Sequence, residues 1–180
     1  MANIISTTKQ IYPLYVVTAP KQDYPCLRKT AKLWQVIAEP KQSEAQTEAE
    51  RALFFQSTSV ASWLQARISQ TLLPSAEIYV CKDQQNRVQG LCLAYLYKNE
   101  LEIDLLITHP LNLDSPLNEK KYQVRGAGTA LLNYAEKRAS EIEKREIYLT
   151  SSRSSTPFFK NRGFQAADHG EMRKRISWQP

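Results

Sequence analysis

The chain has 180 residues, 42% of them hydrophobic and 23% charged, with a formal net charge of +6. That length fits one domain, here taken as residues 1–180, and the composition is that of a globular protein rather than a disordered or fibrous one. No run of about 18 apolar residues is present, which argues against a helical membrane span, and a positive net charge favours an anionic partner.

In chain order, the first apolar stretch is Ile11 to Ala19, broken by Pro13 and preceded by Ser6-Thr7-Thr8-Lys9-Gln10. It makes a poor secretory signal, so a cytoplasmic location is expected. Within it, Leu14 to Val17 reads as a strand rich in β-formers. Leu27, Ala31, Trp34 and Ile37 recur at helical spacing, and Pro40 is expected to stop that helix. Ser43 and Gln46 resemble a capping box that starts a second helix through Ala49, Leu53 and Phe54. Val60, Trp63, Leu64, Ile68 and Leu72 mark a further amphipathic helix ended by Pro74.

The pattern then changes. Glu77 to Lys82, Val88 to Tyr97 and Leu101 to Thr108 read as three strands, and their connections are too short for crossovers, so they pair antiparallel. Residues 111–122 form a polar connection expected to be mobile. A helix follows from about Gly128 to Lys144, then a strand at Ile147 to Thr150, a short helix at Thr156 to Asn161, and a last strand at Met172 to Trp178. Strand, helix and strand across residues 101–150 make one parallel, right-handed crossover. The fold class is therefore α+β, or mixed α/β, with a mostly antiparallel sheet and helices on both faces. Cys26, Cys81 and Cys92 form no CxxC pair, which suggests neither a disulfide framework nor a metal site.

The informative motif is Gln123-Val124-Arg125-Gly126-Ala127-Gly128-Thr129, just before a helix. Its glycines let the backbone approach a ligand closely, and the first N–H groups of the helix lack internal partners. Such a turn cradles phosphate oxygens, and Arg125 can add a charged contact. A dinucleotide-binding GxGxxG fails because Leu131 stands at the third glycine, and a P-loop fails because no glycine is followed by lysine. No basic motif of a nucleic-acid binder occurs, so charge alone does not support nucleic acid as a partner.

Two segments resemble the GNAT (N-acetyltransferase) superfamily. Gln123-x-x-Gly126-x-Gly128 matches the Gln/Arg-x-x-Gly-x-Gly/Ala loop that binds the pyrophosphate of acetyl-CoA there. Phe158-Phe159-Lys160-Asn161-Arg162-Gly163-Phe164 resembles the segment that follows later. The resemblance covers about half of the chain. It implies transfer of an acetyl or short acyl group from CoA to a primary amine by direct attack, with no metal. Gln123 to Thr129 would hold the diphosphate, and the backbone of Leu106, Ile107 and Thr108 would hold the thioester and pantetheine arm. Glu102 corresponds to the general base of the histone-type members.

Three departures stand out. Residues 111–122 are an insertion. Ser152 replaces an asparagine that contacts CoA, and Phe159 replaces the tyrosine that protonates the leaving thiolate. The alternative reading is a GNAT-fold module that binds CoA without turnover. The acceptor and the oligomeric state, including a homodimer, stay open at this stage.

Overall fold

A computed structural model describes residues 13–70, 75–113, 117–118 and 124–177. Seven strands form one sheet: β1 (Tyr15–Thr18), β2 (Ala76–Lys82), β3 (Val88–Leu96), β4 (Glu100–Thr108), β5 (Glu146–Thr150), β6 (Gln165–Ala166) and β7 (Glu171–Arg175). Their order is β1-β2-β3-β4-β5-β7-β6, and only the β4–β5 pair is parallel. Helices α1 (Tyr24–Glu44) and α2 (Glu48–Gln70) cover one face. Helices α3 (Ala127–Glu141) and α4 (Thr156–Lys160) serve the other. The β4–α3–β5 crossover and the antiparallel meander are those expected from the spacing of apolar runs.

Each face buries its own core. Trp34, Ala31 and Leu64 from the first two helices meet Ile78, Leu91 and Leu93, whereas Leu131, Leu132 and Ala135 of α3 meet Tyr79, Cys92 and Ile147. These clusters of fully buried side chains supply the apolar burial that drives folding.

Three local expectations are corrected. Pro40 does not stop α1, which runs on to Glu44. Proline removes one backbone donor, but the burial of Trp34 and Ala38 keeps the helix docked past it. The cap of the next helix is Thr47, not Ser43. Glu50 N–H donates to the Thr47 hydroxyl at 3.2 Å, and Thr47 N–H donates back to the Glu50 carboxylate at 3.3 Å. The two helices expected before Pro74 are one, α2, with no break at Thr58 or Ser59; Pro74 itself lies outside the described residues.

Strand β4 hides a change of face. Leu93 pairs with Leu105 while Ala94 pairs with Ile103, so Asp104 is an extra residue, a β-bulge. Leu101 and Ile103 therefore enter the α3-side core, and Leu105 and Ile107 enter the α1/α2-side core. Plain alternation would have put all four on one face.

Candidate functional site

The site begins where two strands part. β5 pairs with β4 only from Glu100↔Glu146 to Ile103↔Leu149, so among the described residues the rest of β4 pairs with no strand on that side. His109 N–H donates to the Gln89 carbonyl at 2.9 Å. In an antiparallel strand, the N–H and C=O of alternate residues point to the same edge. Ile107 therefore turns its backbone to β3. Leu106 and Thr108 present theirs to the open edge. A row of unpaired backbone groups beside a cleft can take an extended chain as a further strand.

Above this edge stands the N-terminus of α3. Gly126 caps it at φ 93°, a left-handed conformation that costs a residue with a Cβ about 1–2 kcal/mol. The first bond within the helix runs from Ala130 N–H to the Gly126 carbonyl at 2.8 Å. Gly128 packs over the β4 edge, and a Cβ there would touch Phe158, Thr108 and Leu106 at 3.6, 3.6 and 3.7 Å. A small pocket is lined by Thr108, Asn112 and the backbone from Val124 to Gly128. Its place at a helix N-terminus suits an anionic ligand. Val124 N–H is already taken, donating to Asn112 Oδ1 at 2.8 Å. Thr129 Oγ1 accepts from Arg162 at 2.6 Å. Gln123, the first residue of the motif, lies outside the described residues.

This pocket opens into a cleft of about 1450 Å³ between α2, the open edge of β4 and the segment from Leu149 to Phe159. Its α2 wall carries two large aromatics, Phe55 and Trp63, which remain 58% and 60% exposed. From the same helix, Gln56 bridges to the loop after β5. Its Nε2 donates to Ser152 Oγ at 2.8 Å, and Ser154 Oγ donates to its Oε1 at 2.7 Å. Ser152 Oγ also accepts from Ser155 N–H at 3.3 Å, at the start of α4. Phe159 is buried against Phe158 and Phe164. It has no proton to give.

Two carboxylates approach this region on the α2 side of β4. Asp104 lines the cleft, its side chain 18% exposed and 3.3 Å from Arg67 Nε. Burial pushes the Asp104 carboxyl up, Arg67 opposes that, and the charge of Glu102 adds to it. Glu102 accepts a hydrogen bond from the Tyr148 hydroxyl at 2.8 Å, and Tyr148 stacks on Tyr97. Burial, then the bond to Glu102, drives the Tyr148 phenol well above its ordinary range.

Other candidate groups fall outside. His109 packs edge-on against Trp34, and its Nδ1 accepts from Leu111 N–H at 3.1 Å. Burial, helped by Arg87, lowers its pKa to about 4, so it is neutral. Burial likewise raises the Cys81 thiol to about 11 and Cys92 further, which makes both poor nucleophiles. Sequence reasoning missed Asn112 and the Gln56 bridge, although it expected residues 23–74 and 111–122 to form walls of the site. Within the segment expected to be mobile, Asn118 is buried and donates to the carbonyls of Pro110 and Leu113, both at 3.0 Å, and Lys41 donates to the Leu117 carbonyl at 2.8 Å. Among the described residues no cluster of histidine, cysteine and acidic side chains could hold a metal, and no helix is long and apolar enough to cross a membrane.

A parallel pair that parts beneath a glycine-capped helix is the arrangement that the resemblance to the GNAT superfamily implies. The family model described as "Acetyltransferase (GNAT) domain" matches residues 42–180, and the chain belongs to that family. Among curated protein sequences none matches closely enough to count as a relative. The fold is that of several solved structures. The PaiA N-acetyltransferase of Thermoplasma acidophilum, solved with coenzyme A, is 18% identical with a TM-score of 0.56, over 91% of this chain and 99% of that one. A GNAT acetyltransferase of Staphylococcus aureus is 12% identical with a TM-score of 0.59, over 92% and 100%. The ribosomal-protein-S18-alanine N-acetyltransferase of Escherichia coli is 12% identical with a TM-score of 0.58, over 93% and 97%.

Proposed function

We propose that this chain transfers an acetyl or short acyl group from CoA directly to a primary amine. The observation that carries the reading is the open edge of β4 lying against the N-terminal turn of α3. The diphosphate of the donor would sit on the backbone from Arg125 to Thr129, with Val124 holding the loop in place. The pantetheine arm would pair along β4, leaving the Leu106 and Thr108 N–H groups for its amides and the thioester oxygen. Preorganised donors of this kind are worth roughly 3 kcal/mol each in acyl transfer.

The attacking amine must lose a proton, and two carboxylates stand near. Glu102 is the residue to which the family resemblance assigns this role. Asp104 lines the cleft itself, and a carboxyl raised by burial is the better proton acceptor. We assign Asp104 the first contact with the amine and Glu102, with its Tyr148 partner, the onward step. Phe159 leaves the thiolate to depart without a dedicated acid, and its ring fills the apolar floor beside the pantetheine arm. Ser152 is tied to Gln56 and to the start of α4, so its part is to shape the cleft's far end.

Incubation with acetyl-CoA and a panel of arylalkylamines, polyamines and lysine peptides, read by mass spectrometry, tests this. An acetylated amine in at least one class is expected, with formation slowed in Asp104→Asn. Phe159 favours a second reading, a module that binds CoA without turnover; tight CoA binding with no product in any class would establish that instead.

A further inference from the structure

We infer that Asp83, Gln89 and Asn112 form a relay of hydrogen bonds that sets the diphosphate loop, so that Asp83 is a positioning residue for the donor although it does not line the pocket. The inference rests on the CoA-binding reading given above. Val124 N–H donates to Asn112 Oδ1 at 2.8 Å. Asn112 Nδ2 donates to Gln89 Oε1 at 3.0 Å. Gln89 Nε2 donates to Asp83 Oδ2 at 2.9 Å. Asp83 and Gln89 are buried, with 1% and 6% of their surfaces exposed.

The direction of the chain follows from its terminus. An ionised carboxylate only accepts, whereas a side-chain amide can face either way. Asp83 therefore forces Gln89 to offer its Nε2. Gln89 is left with Oε1 toward Asn112, which must answer with Nδ2. Asn112 is then left with Oδ1 toward the loop, where Val124 N–H needs an acceptor. One fixed charge orients two amides and one backbone segment.

Asp83 is itself locked. Its Oδ1 accepts from the N–H groups of Gln85 at 2.9 Å and Arg87 at 3.0 Å, and its Oδ2 accepts from Arg87 Nε at 2.8 Å. The relay thus connects the turn between β2 and β3 to the N-terminal turn of α3. Asn112 belongs to the segment by which this chain departs from the commoner GNAT spacing, which gives that insertion a task.

Asp83→Asn tests the polarity. The two backbone donors hold the remaining oxygen, so the new amide nitrogen must face Gln89. Gln89 and Asn112 must then turn over, and Asn112 meets Val124 N–H with a donor. Titration calorimetry of CoA into wild type, Asp83→Asn, Gln89→Met, Asn112→Ala and the double variant Gln89→Met/Asn112→Ala reads the effect. Thermal melting of each variant is the companion measurement. The expected result is a Kd raised about tenfold in each single variant and no further in the double, because all interrupt one chain. Should one variant fail to fold, the others carry the test. Melting temperatures that fall with CoA affinity unchanged within twofold would overturn the relay and leave a purely structural network, as would strictly additive losses. Wild-type protein that binds no CoA would overturn both the relay and the reading beneath it.

Discussion

The two walls of the cleft are built by different means. The side proposed for the donor is backbone: a glycine at φ 93°, the open edge of β4, and the N-terminal turn of α3. The α2 side is side chains: Phe55, Trp63 and Arg67 on one helix, with Asp104 facing them from a bulge. A backbone wall recognises what every donor shares, phosphates and amides, and tolerates sequence change. A side-chain wall can change its specificity one residue at a time. Solved structures only 12–18% identical to this chain keep its fold, and a wall built from backbone is of the kind that survives such change in sequence.

The comparison can be broken most sharply at Gly126. Gly126→Asp adds left-handed strain and a negative charge beside the diphosphate. It should weaken CoA binding on the order of 1000-fold by calorimetry, with acceptor recognition untouched. A second test lies at the junction behind both walls, where His109 is held neutral against Trp34. Its folded pKa, about 4, lies below the ordinary 6.5, so the unfolded chain binds the proton more readily. Stability should be full above pH 6.5 and fall by up to about 3 kcal/mol as the pH drops toward 4, measured by urea unfolding. His109→Gln should flatten that slope.

On the α2 side, Asp104→Asn should lower kcat roughly 100-fold while CoA affinity stays within twofold. Glu102→Gln measured beside it ranks the two carboxylates; an unchanged pH–rate profile in both would remove the carboxylate route. Smallest is Trp63→Ala, which should raise the acceptor KM about tenfold and leave the donor KM unchanged. If the donor KM moves instead, the α2 wall serves the pantetheine arm.

Much of the backbone wall of the cleft was legible in sequence because it is local. The glycine spacing before a helix, the three antiparallel runs and the single crossover each lie within a short window, and each obeys a period or a backbone rule. On the α2 side the sequence indicated a wall within residues 23–74 but not which side chains make it. Phe55 and Trp63 read as ordinary apolar positions of a helix, and only tertiary packing reveals that they stay exposed. The bulge at Asp104 was hidden for a related reason: the alternation of β4 continues through it, and the change of face shows only in the pairing with β3. The relay from Asp83 to Val124 joins residues up to 41 positions apart that carry no motif. Pro40 misled because burial outweighed a local rule.

The central claim is direct transfer with donor and acceptor on the enzyme together. Cys81 and Cys92 are buried, and burial holds their thiols protonated, so neither is suited to carry an acyl group. Initial rates measured across a matrix of acetyl-CoA and amine concentrations test it most directly. Double-reciprocal lines that intersect are the predicted result, since both substrates must be bound before either product leaves. Parallel lines, with a trapped acyl-enzyme, would contradict it and place a covalent step on the protein.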